Sequence, residues 1–163
     1  MKIVIASDHR GYEKKRWLAP KLEALGHTVV DVGCPTGASC DYPDYAAPAA
    51  RMVAGGEADV GILLDNSGIG MSIVANKVRG VRAAIALDLV AARLAREANH
   101  CNVLCIATEL LSDVMMEKIA KEFVDTTFAT GGRHDRRIKK IRAIEKAECA
   151  PVDPAVPVPG VEG

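Results

Sequence analysis

Five apolar runs of strand length recur along the chain, and each is followed by a stretch with helical spacing. "KIVIAS" precedes residues 11–25, "HTVVDV" precedes a loop and then 43–54, "DVGILL" precedes 69–77, "RAAIAL" precedes 88–98, and "NVLCIA" precedes 112–124. Parallel strands need crossover connections and bury both faces, so they read as continuous apolar runs. The pattern predicts a doubly wound, Rossmann-like α/β domain, with a five-stranded parallel sheet and helices on both faces. The 163 residues suffice for one such domain with a sizeable core and are too few for two ordinary ones.

A sixth segment, "RHDRRIKKIRAIEKAE", reads as a basic amphipathic C-terminal helix with apolar positions 138, 141 and 144. After it, "APVDPAVPVPGVEG" carries four prolines in fourteen residues, the composition of an extended or disordered tail. The expected division is a domain over 1–147 and a tail over 148–163.

Lysine plus arginine equals aspartate plus glutamate, 21 each, so no global field draws the chain to nucleic acid or to a membrane surface. Neither a signal-peptide apolar region nor a run of roughly 18 apolar residues is present, and a cytoplasmic protein is expected. Five cysteines, at 34, 40, 101, 105 and 149, form no paired C-x-x-C spacing. Their odd number in a cytosolic chain argues for free thiols. Cys101 and Cys105 in "HCNVLC" read as packed residues of a strand and its approach, so no metal site is expected.

In an open parallel sheet, ligands sit beyond the carboxyl ends of the strands, near the point where strand order reverses. That rule selects Ser7, Asp8, His9 and Arg10 after the first strand, Asp65 to Gly70 after the third, Asp88 after the fourth, and Thr108 and Glu109 after the fifth. "GILLDNSGIGMS", residues 61–72, runs from a strand into a glycine-rich turn that opens a helix. Successive backbone N–H groups and the positive end of the helix dipole converge there on any anion. Gly68 and Gly70 allow a close backbone approach. A dinucleotide fingerprint would require glycine at 73, where Ile73 stands, although Asp88 falls where a ribose-binding acid would lie. Asp65 also has a plain alternative role, as a turn or helix-cap residue like Asn66 and Ser67. "GGRHDRR" adds Arg133, Arg136 and Arg137, whose forked guanidiniums suit phosphate oxygens. Arg133 and Arg137, four apart, share one helix face.

Taken together, "KIVIASDHRGYEKK", "DYPDYA", "GIGMSIVANKVRGVRAA", "AREANHCNVL" and "GGRHDRR" resemble the ribose-5-phosphate isomerase B and galactose-6-phosphate isomerase family, in order and over residues 1 to about 147. The resemblance implies interconversion of a phosphorylated aldose and its ketose through an enediolate, without metal or organic cofactor. It also implies a site shared between two subunits of a homodimer or homotetramer. By the resemblance His9, Arg133 and Arg137 hold the phosphate, the arginines from the partner chain, while Asp8, Tyr42 and Asn99 line the sugar. The catalytic candidates are Asp65 as base and Ser67 as the group that orients or moves a proton. The backbone from Ser67 through Gly68, Ile69 and Gly70 would receive the developing oxyanion.

Three positions depart from the ribose-type pattern. Asp65 stands where the family has a cysteine base, Ala98 where it has a ring-opening histidine, and Glu109 where it has an arginine. An aspartate is ionised at neutral pH without the activation a thiol needs, and a carboxylate base suits an enediolate mechanism. His100, two residues beyond the vacant histidine position, is the candidate substitute. Glu109 would repel a phosphate beside it. The default substrate pair is ribose 5-phosphate and ribulose 5-phosphate. The alternative is a catalytically silent or paired subunit that binds a phosphosugar, because the A subunit of galactose-6-phosphate isomerase also resembles this chain in carrying an aspartate at the cysteine position.

Overall fold

The computed structural model describes residues 1–148. Its five strands are β1 (Lys2–Ser7), β2 (Thr28–Asp31), β3 (Val60–Asp65), β4 (Ala83–Ile85) and β5 (Val103–Ala107). They alternate with α1 (Tyr12–Ala24), α2 (Pro43–Ala54), α3 (Ile69–Ala75), α4 (Leu89–Glu97) and α5 (Asp113–Asp125), and α6 (Gly132–Glu148) follows. Each expected strand and helix is present within a few residues. The proline-rich tail lies, apart from Glu148, outside the described residues.

All strand pairs are parallel and the sheet order is β2-β1-β3-β5-β4. The chain moves outward from β1 to β2 and then returns to the other side of β1 to lay down β3. The reversal therefore falls between β1 and β3, whose register pairs Ser7 with Leu64. The helices that follow these two strands, α1 and α3, pack on opposite faces of the sheet, the arrangement that opens a ligand crevice at the carboxyl edge of such folds.

Strand alternation divides the core into two layers. Ile3, Ile5, Ile62, Leu64, Leu104 and Ile106 face one way, against Leu18 and Leu22 of α1 and Met116, Ile119 and Phe123 of α5. Val4, Ala6, Leu63, Val103 and Cys105 face the other way, against Ala46, Ala49 and Ala50 of α2 and Met71 and Ala75 of α3. Small alanines on α2 let that helix approach the sheet closely. Asp88 and Ser112 cap α4 and α5 by accepting the N–H groups of Ala91 and Met115. Asp88, on the ligand-edge short list, is thus occupied as a helix cap.

Of the apolar positions expected to seat α6, only Ile138 is buried, while Ile141 and Ile144 are 43% and 62% exposed. The helix stands largely clear of the two layers.

Candidate functional site

At the carboxyl edge two aspartates organise two adjacent turns. Asp8 is buried, and its Oδ1 accepts the N–H groups of Arg10 at 2.8 Å and Gly11 at 3.1 Å. Asp65, 5% exposed, does the same for the glycine-rich loop. Its Oδ1 accepts from the N–H groups of Ser67, at 3.1 Å, and Gly68, and its Oδ2 accepts from that of Met71 at 3.3 Å. The Ile69 N–H donates to Ser67 Oγ at 3.2 Å.

The loop is built to receive negative charge, and in the free chain the resident carboxylate of Asp65 receives it. This differs from the expectation that the Ser67 and Gly68 amides await an oxyanion, because both are engaged. It also turns Asp65 inward, with lone pairs of both oxygens committed to its own turn. Gly68 makes the arrangement possible: its φ of 77° is left-handed, and a Cβ there would lie 3.2 Å from Ile85 Cγ2.

Two further candidates are held by the β2–α2 loop, one of them packed on the glycine-rich turn. The Tyr42 ring lies against Gly70, where an added Cβ would come within 2.9 Å of it. His9, half-buried, sets Nδ1 against the Cys40 backbone, 3.1 Å from the carbonyl oxygen and 3.3 Å from the nitrogen, and bonds one or the other according to its tautomer. The β2–α2 loop that carries Cys40 and Tyr42 thus touches both His9 after β1 and Gly70 after β3.

Glu109 is not a bare negative charge. Its Oε2 lies 3.2 Å from Arg10 Nη2, which also donates to Asn66 Oδ1 at 3.0 Å. Arg10 ties the loops after β1, β3 and β5 together. The strand-end rule selects Arg10, but nothing local in the sequence signals a partner 99 residues away.

The remaining candidates are elsewhere. Asn99 and His100 lie between α4 and β5, at the amino edge of the sheet. The Asn99 side chain donates to the Leu94 carbonyl, and the His100 ring stacks on Phe128 with centroids 4.4 Å apart. The Ala129 N–H donates to the Glu97 carbonyl, so the turn into α6, with Arg133 and Arg137, begins at this same edge. The length of β3, six residues at about 3.3 Å each, puts roughly 20 Å of sheet between the two groups. One chain therefore does not bring Asn99, His100, Arg133 or Arg137 to Asp65. This separation was legible in chain order, since a residue between a helix and the next parallel strand sits at the amino edge.

The amino edge is basic. Burial, then the Arg82, Arg96 and Arg142 guanidiniums, push the His100 imidazole below its ordinary pKa. A cavity of about 480 Å³ at this edge is lined by Arg79, Arg82, Arg142 and Lys146 together with Asn102 and Glu145, among others. Cys101 and Cys105 are buried as expected, and burial raises the Cys101 thiol to about 11. Among the described residues no cluster of three or more His, Cys, Asp or Glu side chains could hold a metal ion. No described helix is long and apolar enough to cross a membrane.

A parallel sheet whose order reverses between β1 and β3, with an anion-receiving loop at that point, is the arrangement by which open α/β domains bind small anionic ligands. Comparison with known proteins narrows this. The ribose/galactose isomerase family matches residues 3–141. The ribose-5-phosphate isomerase B of Escherichia coli is 37% identical over 145 residues, covering 89% of this chain and 97% of that protein. The solved ribose-5-phosphate isomerase B of Clostridium thermocellum superposes with a TM-score of 0.88 at 40% identity, covering 91% of this chain and 99% of that one. The corresponding Thermotoga maritima structure gives 0.83 at 44% identity, with 87% and 97% covered. The chain belongs to the ribose/galactose isomerase family and is an enzyme of the aldose–ketose isomerase class.

Proposed function

We propose that the chain interconverts ribose 5-phosphate and ribulose 5-phosphate, as a homodimer in which each site draws residues from both copies. The observation that carries this reading is the division of one chain into two half-sites. Asp8, His9, Tyr42 and the Asp65 loop occupy the carboxyl edge, and Asn99, His100, Arg133 and Arg137 the amino edge. A two-fold related copy that sets its amino edge against the first chain's carboxyl edge supplies phosphate-binding guanidiniums to a crevice that already holds His9.

The surface offers a seam for such a partner. Ile69 and Ile73 on α3, and Leu87, Leu89, Val90 and Leu94 around the start of α4, are exposed large apolar side chains beside the short edge strand β4. Burial of such side chains favours association.

Within the completed site Asp65 removes the proton from the carbon beside the carbonyl. To do so it must release at least one of its amides. The Ser67 and Gly68 N–H groups then pass to the enediolate oxygen, so one anion replaces another in the same nest. The Ser67 hydroxyl, which accepts from Ile69 N–H, has its own proton to donate. Arg10 offsets the Glu109 charge at the rim.

A mixing experiment tests the shared site. Asp65→Asn and Arg137→Ala homodimers, each inactive, are dissociated together and reassociated. Half of the dimers are then hybrids with one intact site, so activity returns to about a quarter of wild type. No recovery, with hybrid formation verified by native mass spectrometry, overturns the proposal.

The inward seating of Asp65 favours one second reading, a phosphosugar-binding or paired subunit without turnover of its own. The purified wild-type chain, assayed against four- to six-carbon aldose phosphates, separates the two. Binding without turnover selects the second.

A further inference from the structure

Cys34 and Cys40 flank the exposed segment 35–39 of the β2–α2 loop, and their sulfurs are 3.0 Å apart. Cys34 is the fixed member: it is buried, and its N–H donates to the Ser7 carbonyl at 2.8 Å, which ties it to the end of β1. Cys40 is half-buried on the loop side and can be reached from solvent. A disulfide needs a sulfur separation of about 2.05 Å, so closure asks for a shift of roughly 1 Å, which the exposed loop can supply. The surroundings make Cys34 the more acidic thiol of the pair. Burial works against ionisation of Cys34, but hydrogen bonds from Cys40 and Tyr45 and the buried Lys15 ammonium outweigh it, so its pKa lies below the ordinary thiol value. Lys15 Nζ itself is held by the Cys34 carbonyl at 2.9 Å and Asp31 at 2.8 Å.

We propose that Cys34 and Cys40 form a peroxide-sensitive dithiol site that closes reversibly to an intrachain disulfide. A thiolate sulfur of the pair attacks one oxygen of hydrogen peroxide. The O–O bond breaks, and hydroxide leaves and is protonated, giving a sulfenic acid. The second thiol gives up its proton and its sulfur attacks the sulfenic sulfur, so the S–S bond forms and the S–O bond breaks, releasing water. Two thiols lose two electrons and two protons, and one peroxide becomes two waters. A dithiol reductant reverses the change by exchange.

The site has a consequence that rests on the isomerase reading above. The Cys40 backbone holds His9 Nδ1, through its carbonyl or its N–H according to the tautomer, and Tyr42 is two residues further on. Drawing Cys40 toward Cys34 displaces both from the crevice, and the disulfide form binds a phosphosugar more weakly.

The test uses the fully reduced full-length chain, treated with a few equivalents of hydrogen peroxide, blocked with iodoacetamide and mapped by non-reducing mass spectrometry. The expected product is a Cys34–Cys40 cross-linked peptide two hydrogens lighter, abolished in Cys34→Ser and in Cys40→Ser and reversed by dithiothreitol. Both cysteines alkylated after treatment, or a sulfinic acid at either, overturns the site. In the kinetic arm the oxidised chain shows KM for ribose 5-phosphate raised roughly tenfold, the size of one lost hydrogen bond to a charged group. A cross-link with unchanged KM overturns the coupling to His9. A chain with no isomerase activity in either state defeats the function reading, while the peptide map still decides the site.

Discussion

Replacing Asp65 by asparagine separates its two roles, as organiser of a loop and as base. The carboxylate accepts three backbone N–H groups, two on Oδ1 and one on Oδ2. Asparagine keeps one acceptor oxygen. With that oxygen on the Ser67 and Gly68 amides, the new NH₂ faces the Met71 N–H, donor against donor, in a buried turn. Losing one hydrogen bond to a charged group costs about 1.5–3 kcal/mol, and the two surviving bonds lose their charge assistance. A total of about 2–3 kcal/mol lowers Tm by roughly 5–10 °C for a domain of this size.

Asp8→Asn is the internal control, because both of its amides share Oδ1 and one asparagine carbonyl keeps them both. Its loss should stay below about 1 kcal/mol, since asparagine and aspartate serve equally at such turns. Thermal unfolding of the two variants by circular dichroism makes the comparison, and isomerase assays well below both melting points report the base role independently. If Asp65→Asn melts within about 1 °C of Asp8→Asn, the account of Asp65 as the anion seated in its own nest is wrong.

Gly70→Ala places a Cβ 2.9 Å from the Tyr42 ring; the ring is free to swing outward, so KM should rise with Tm almost unchanged, and unchanged steady-state kinetics would remove Tyr42 from the site. Glu109→Arg breaks an exposed ion pair worth at most about 1 kcal/mol. Urea unfolding should therefore barely change, while KM for the phosphosugar falls; a higher KM would show that the carboxylate assists binding. His100 supplies a pH dependence. Burial and three arginines disfavour its imidazolium in the fold, so the unfolded chain binds that proton more readily. The stability this contributes is present above about pH 6.5 and is lost as the pH falls through the lower folded value. His100→Asn tolerates the positive φ of 50° at this position and should flatten the urea-unfolding profile between pH 7.5 and 5; an unchanged slope would place the titration elsewhere.

Most of the fold was legible because its signals are local. Continuous apolar runs such as "DVGILL" announce strands buried on both faces, and the glycines of "NSGIGMS" announce a turn before a helix. The candidate residues were legible as types at the carboxyl edge, Asp8 and His9 after β1 and Asp65 to Gly70 after β3. Their working geometry was not. The direction of the Asp65 carboxylate depends on the left-handed backbone at Gly68, and the same residues in another turn would leave the amides open. The engagement of Glu109 with Arg10, and of Cys40 with His9, depends on loops from different strands meeting over the crevice.

The sequence by itself determined the alternation of elements, the class of fold, the ligand edge and the family, since periodicity and motif order survive in one dimension. Only the tertiary structure decided which charges meet. It placed Asp65 in its own amide nest, tied Glu109 to Arg10, and set two thiols side by side. Helical and strand patterns are fixed by near neighbours along the chain, whereas contacts between loops follow from how parallel strands are ordered and how far each crossover carries the chain.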